Sequence, residues 1–152
     1  MRRAIAVAER ARAAGNHPFG ALLATADGRV VAEAENTVNT AHDVTGHAET
    51  NLVSLASQRF EGDELAAMTL VTSCEPCAMC AGAIHWAGIG TVVYGLSERG
   101  LLGMTGEDPA NPTLDLPCRQ VFAAGRKRIE VVGPLLEDEA RAPHRGFWQP
   151  EA

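Results

Sequence analysis

Two short motifs, far apart in the chain, limit what it can fold into more than any other feature. One is His47-Ala48-Glu49 and the other is Pro76-Cys77-Ala78-Met79-Cys80. Cys77 and Cys80 stand three apart behind a proline that suits the first turn of a helix, so both thiols project from one face of that turn. The positive end of the helix favours thiolate over thiol. His47 stands at the start of a second helix, with Leu52, Leu55 and Ala56 behind it on one face. An imidazole and two thiolates are three ligands for zinc, and three ligands leave the fourth tetrahedral position to water, as in a catalytic rather than a structural site. Water held there ionises near neutral pH. Glu49 need not be a ligand, since from two residues beyond His47 its carboxylate can reach that water and then a substrate nitrogen. The fold therefore has to carry two helix starts to one point.

Other uses of the same residues are weaker. Cys74 makes a Cys74-x-x-Cys77-x-x-Cys80 run that, with His47, would close a four-ligand structural site. It falls before Pro76, outside the turn that aligns the other two, and a closed site would leave Glu49 without a task. An iron-sulfur reading lacks the second half of its motif, where Ala83-Ile84 stand and Cys118 is distant. A disulfide is disfavoured in a chain without a secretion signal. Cys118, after Pro117, reads as a small buried apolar residue. His17, His42, His85 and His144 lack partners at ligand spacing.

The 152 residues read as one domain, long enough to bury a core without staples. Thirteen Lys and Arg against nineteen Asp and Glu give a formal charge of −6, so the long-range field repels polyanions and a large nucleic-acid partner is disfavoured. The cluster Arg126-Lys127-Arg128 reads as a solvated turn. Glu9, Arg10 and Arg12 interrupt the apolar core that a signal peptide would need after the basic start. No apolar run approaches the roughly 20 residues of a spanning helix. The expectation is a cytoplasmic protein with no membrane segment.

Strong helix formers with Ala4, Ile5, Ala8 and Ala11 in helical register predict a first helix over Arg2 to Ala14, stopped by Gly15-Asn16. Asp27-Gly28 between two apolar runs, Phe19 to Thr25 and Arg29 to Glu33, predicts an antiparallel hairpin. Ala67 to Ser73 reads as a largely buried strand that leads into a helix over Ala78 to Ala87. Thr91 to Tyr94 and Ile129 to Val132 read as further strands, and Leu135 to Ala142 as a short acidic helix. Gly95 to Pro117 reads as a long loop with room for a short helix. Strands alternate with helices after the hairpin, so the expected class is α/β, a three-layer α-β-α sandwich with a mixed five-stranded sheet.

The pattern His-x-Glu followed by Pro-Cys-x-x-Cys is the signature of zinc nucleobase deaminases. Together with His17-Pro18-Phe19-Gly20, Asn36, Thr45-Gly46 and the run from Thr72 to Ile84, it makes the chain resemble the cytidine deaminase-like superfamily. Within it the likeness is to guanine deaminases and fungal cytosine deaminases, from about Arg3 to Tyr94 and more loosely beyond. The resemblance implies the cytidine deaminase-like sandwich, one zinc ion per chain on His47, Cys77 and Cys80, and Glu49 as the proton carrier. The reaction implied is hydrolytic deamination of a nucleobase or related aminated ring, with release of ammonia. Guanine leads, and cytosine, isocytosine or ammeline-like rings follow.

By the same resemblance Asn36 hydrogen-bonds the substrate's carbonyl edge, Ala48 belongs to the substrate site, and Phe19 and Trp86 stand near the base. Phe147 and Trp148, in a tail over residues 143–152, close over it. A homodimer is implied too, with C-terminal segments exchanged in some members. The tRNA adenosine deaminases share the metal motif but carry a basic C-terminal helix, where this chain has Leu136-Glu137-Asp138-Glu139. A zinc-stabilised module without catalysis is the remote alternative. Val44 replaces a Pro usual in guanine deaminases, and Gly46 the usual Ala. For the acidic residue that helps read guanine, Glu107, Asp108 and Asp115 are candidates.

Overall fold

Helix α1 (Arg2–Ala13) opens the chain and buries Ala4, Ile5, Val7, Ala8 and Ala11 along one stripe. The computed structural model describes residues 1–148. Strands β1 (Gly20–Ala24) and β2 (Val30–Glu35) form the expected antiparallel hairpin, Gly20 opposite Glu35. Then follow α2 (Val38–Ala41), α3 (Ala48–Ser57), α4 (Gly62–Ala66), β3 (Thr69–Cys74) and α5 (Ala78–Ala87). The chain continues through β4 (Thr91–Leu96), α6 (Glu98–Thr105), α7 (Cys118–Ala123), β5 (Glu130–Val132) and α8 (Glu137–Arg141), and a 3-10 turn spans Ala142–His144.

The five strands stand in the order β2-β1-β3-β4-β5, the first two pairings antiparallel and the last two parallel. Alternation along β1 sends its side chains to opposite layers. Ala21 and Leu23 pack in the large core with Ala48, Leu52 and Ala56 of α3 and Ala81 and Ile84 of α5. Leu22 and Ala24 pack instead with Ala4 of α1. Helices α3, α5 and α7 thus cover one face, and α1 and α8 the other. Gly20 is where α1 rides on the sheet: a Cβ there would lie 2.4 Å from the Ala8 backbone nitrogen.

The expected loop from Gly95 to Pro117 is shorter than its Gly and Pro content suggested. Strand β4 runs on to Leu96, and Ser97 caps α6 by accepting from the Gly100 N–H at 3.1 Å. Helix α8 covers less than the expected Leu135 to Ala142, because Leu136 takes a left-handed φ of 53° and Pro143 tightens the far end. Among the described residues no helix is long and apolar enough to cross a membrane.

Candidate metal centre and active-site cavity

Parallel pairing of β3 with β4 brings Cys74 opposite Leu96, so the segments that leave these two strands start side by side. After Cys74 the chain turns through Glu75 and Pro76, and Cys77, in extended geometry, caps α5. His47 likewise caps α3. Helices α3 and α5 pack against each other, and this meets the two helix starts. His47 Nδ1 lies 3.7 Å from Cys77 Sγ and 3.5 Å from Cys80 Sγ. All three donor atoms lie within 4.8 Å of one another, the one such group among the described residues. Tetrahedral zinc, with bonds of about 2.0 Å to nitrogen and 2.3 Å to sulfur, sets N and S about 3.5 Å apart. The donor set fits the ion in number, chemistry and spacing. Cys74 is not part of it.

Protonation in the set is shared unequally. A hydrogen bond from Cys80, and then His47, brings Cys77 down to about 4 against the cost of burial. Cys80 is pushed up by donating that bond and by burial, and Cys77 raises His47. The group thus favours thiolate on Cys77 and can exchange its remaining protons for a divalent cation. Glu49 sits in the first turn of α3, 4% exposed. Its Oε1 accepts from the Thr72 hydroxyl at 2.8 Å, and its Oε2 lies 3.6 Å from Cys80 Sγ. Burial raises its pKa, so the carboxylate takes up a proton more readily than one in water.

A cavity of about 480 Å³ opens on this group, lined by His17, Phe19, His47, Cys77, Met79 and Glu98 together with the 109–114 loop. Asn36 does not itself line the cavity: it is 1% exposed, its Oδ1 accepts from the Val38 N–H at 3.1 Å, and its Nδ2 is buried without a partner. Ala48 is buried in the first turn of α3. Trp86 requires a correction. It is 85% exposed and does not line the cavity, because it lies on the side of α5 away from the buried Cys80, Ala81 and Ile84. The basic cluster Arg126-Lys127-Arg128 is exposed, as a solvated turn should be.

Sequence reasoning missed Glu98. Among the acids it considered, Asp115 is exposed and faces Arg99 at 3.5 Å, Glu107 is exposed, and Asp108 caps its own turn by accepting from the Ala110 N–H at 2.8 Å. Glu98 is 6% exposed and lines the cavity. Burial first, then the charges of Cys77, Glu75 and Glu49, push its pKa up to about 7. The signal was a second strand-to-helix passage, Thr91 to Leu96 followed by the capping residue Ser97, at the carboxyl end of a parallel strand where ligands of α/β folds gather.

The tail is wired to the same strand end. His144 Nδ1 accepts from the Trp148 indole N–H at 3.0 Å, so the neutral ring carries its proton on Nε2, which donates to Cys74 Sγ at 3.2 Å. The Trp148 and His144 rings stack, and Trp148 packs on Phe19 and His17, two cavity residues. Phe147 meets His17 edge-on. Neither Phe147 nor Trp148 lines the cavity; they stand behind its wall. The part of the tail beyond Trp148 lies outside the described residues. Burial, then the Arg12 charge, brings His144 down to about 4. The unfolded imidazole protonates first, near pH 6.5, so this contribution to stability is whole above 6.5 and is lost as pH falls towards 4. Up to about 3 kcal/mol is at stake. Urea unfolding between pH 7 and pH 4 should show a steeper loss in the wild type than in His144→Phe; equal slopes would remove His144 as the cause.

Comparison with known proteins agrees with this geometry. Residues 1–96 match the family model of the cytidine and deoxycytidylate deaminase zinc-binding region. A Schizosaccharomyces pombe protein named probable cytosine deaminase is 44% identical over 148 residues, 97% of this chain and 90% of that one. A guanine deaminase structure from Nitrosomonas europaea superposes with a TM-score of 0.79 at 27% identity, covering 96% of this chain and 81% of the other. A structure described for tRNA:A34 deaminases gives 0.74 at 29% identity, covering 94% and 96%. With a His-Cys-Cys set that suits zinc, a buried glutamate beside it and a family match over most of the chain, this protein belongs to the cytidine and deoxycytidylate deaminase family, zinc-dependent hydrolases that act on the amine of nucleobase-type rings.

Proposed function

We propose that the chain removes the exocyclic amine of a free nucleobase or closely related ring as ammonia, with guanine and cytosine ahead of isocytosine and ammeline. The observation that carries this reading is Glu49, a buried carboxylate fixed by Thr72 through one oxygen, with the other 3.6 Å from Cys80. A structural ion would give such a group nothing to do. His47, Cys77 and Cys80 would hold a zinc ion, which when bound would supply Lewis acidity that lowers the pKa of water towards neutral. Glu49 takes one proton of the attacking water and gives it to the ring nitrogen, then takes the proton of the newly formed hydroxyl and gives it to the amine, so that the C–N bond breaks, the carbonyl forms and ammonia leaves. The unpaired Nδ2–H of Asn36 is a donor for a ring carbonyl. Ala48 lies in the first turn of α3, whose N–H groups have no partner within the helix and suit the ring edge nearest the metal. Phe19 forms an apolar wall, and Phe147 and Trp148, in the 143–152 tail, hold that wall in place.

The likeness to tRNA:A34 deaminases makes an RNA adenosine the competing substrate. Asp138 and Glu139 of α8 are exposed and the chain carries −6, so phosphates would find little to hold. The proposal includes a cytoplasmic homodimer: the four cysteines are not joined in disulfides, and Trp86 is exposed apolar surface that a second copy would cover. The test is ammonia release from guanine, cytosine, isocytosine, ammeline, adenine, their nucleosides and a tRNA anticodon stem, on protein of measured sedimentation mass. Turnover of free bases by a species of twice the chain mass is expected. Turnover of the RNA alone would overturn the substrate, and an active monomer the dimer.

A further inference from the structure

Glu98 is the first residue of α6, and its backbone N–H donates to Glu75 Oε2 at 3.0 Å. The other Glu75 oxygen accepts from the Cys118 N–H at 3.0 Å, so one buried acid ties the start of α6 and the start of α7 to the turn that precedes Cys77. This holds Glu98 in place by its main chain and leaves its side chain unoccupied. The carboxylate accepts no hydrogen bond from any described residue, although the residue is 6% exposed and lines the cavity shared by His47 and Cys77. No described lysine or arginine lines that cavity. Glu98 is not a sealed acid: the buried side-chain polar atoms without a partner among the described residues are Asn36 Nδ2 and His85 Nδ1. Facing the cavity with no basic side chain beside it, its carboxylate suits an N–H donor on whatever fills that space.

We infer that Glu98 accepts a ring N–H of the substrate and thereby selects free bases over their N-substituted forms, nucleosides included. This rests on the deamination reading and narrows it. The exocyclic amine belongs beside Glu49, and a ring carbonyl is served by Asn36 Nδ2. What remains of a free base is its ring N–H: N1–H in a cytosine-type ring, N1–H or N9–H in a guanine-type ring. A ribose on the N1 of cytosine removes that ring's one N–H and sets carbon against a buried acid. A site whose polar group is left unpaired by an analogue rejects it far more strongly than a site that merely lacks room for a methylene.

The test compares ammonia release by the zinc-loaded protein from cytosine and 1-methylcytosine, and from guanine, 1-methylguanine and 9-methylguanine, with Glu98→Ala and Glu98→Gln in parallel. The wild type should prefer cytosine over 1-methylcytosine by at least roughly 100-fold in kcat/KM, and guanine by the same factor over the one of its two methylated forms that blocks the N–H accepted by Glu98. In Glu98→Ala the rate on the free base should fall by roughly 100-fold, mostly through KM, and the preference should shrink below about tenfold. Glu98→Gln, near in shape and safe for folding, should fall between. Calorimetric titration of the same bases into Glu49→Gln, with and without Glu98→Ala, reads the preference as binding. A preference equal in wild type and Glu98→Ala, or a wild type that accepts the methylated bases, would overturn the role of Glu98 and leave the deaminase reading standing. A zinc-loaded wild type that neither binds nor turns over any free base would overturn both.

Discussion

Glu49→Gln should lower turnover by about 10³- to 10⁴-fold, the contribution of a positioned acid-base group, while zinc content stays at one per chain. The substitution keeps the size of the side chain and an oxygen that accepts from Thr72, whose hydroxyl now stands 2.8 Å from Glu49 Oε1. It removes a carboxylate that is 4% exposed and whose charged form burial disfavours. Folding stability should therefore hold or rise, since a neutral amide is cheaper to bury than a charge. Stability and activity moving apart is what separates a proton carrier from a structural acid: a strut would cost stability when altered and leave the chemistry largely alone. KM should change by less than about tenfold, because the group acts on the reacting atoms rather than on ground-state binding. Ammonia release, metal analysis and thermal unfolding on one preparation decide the matter. A loss of turnover under tenfold with zinc in place would take the proton-carrying role away from Glu49.

Much of this site was legible in the sequence because its chemistry is written in short-range spacing. Pro76, Cys77 and Cys80 lie within one turn, and His47 and Glu49 within another, so the local geometry of each half follows from helix periodicity alone. The hairpin was equally local, fixed by Asp27-Gly28. What the sequence did not show depends on contacts between distant segments. Glu98 becomes a cavity residue only because β4 pairs in parallel with β3 and so delivers its carboxyl end beside the Cys77 turn. The bond from His144 to Cys74 joins residues 70 positions apart, and no spacing rule connects a tail histidine with a strand-end cysteine. Trp86 failed for a related reason: a helical tryptophan can face the core or the solvent, and which it does depends on how α5 is rolled onto its neighbours. In the 95–117 segment glycines outweighed the capping serine in the reading, although Ser97 alone marked the start of α6.

Cys80→Ala should abolish both metal and activity, and a chelator should do the same to the wild type reversibly. Removing one of three protein ligands leaves too few to hold zinc against buffer, so the variant should carry less than about 0.1 ion per chain and release no measurable ammonia. Chelated wild type should recover on adding zinc, and the variant should not. The two treatments should also agree in stability. An ion that binds the folded chain alone and is present at about 1,000 times its dissociation constant adds about 4 kcal/mol. For a chain of this length that corresponds to a fall in Tm of roughly 10 °C when it is withdrawn. The fold itself should survive. The large core of α3 and α5 against the sheet, with Leu52, Leu70, Ile84 and Val92 fully buried, does not pass through the metal group. In the ion's absence, the Cys80 thiol and the His47 ring still hold Cys77 as thiolate, down to about 4, so the two helix starts keep an attraction of their own. Circular dichroism of the chelated protein should thus stay native at 25 °C, and complete unfolding on chelation would show that the ion, rather than α3-α5 packing, brings His47 to the cysteines. If zinc instead remained bound to Cys80→Ala with activity within tenfold of wild type, Cys80 would not be a ligand at all, and the three-donor geometry at 3.5 and 3.7 Å would have to be assigned another purpose.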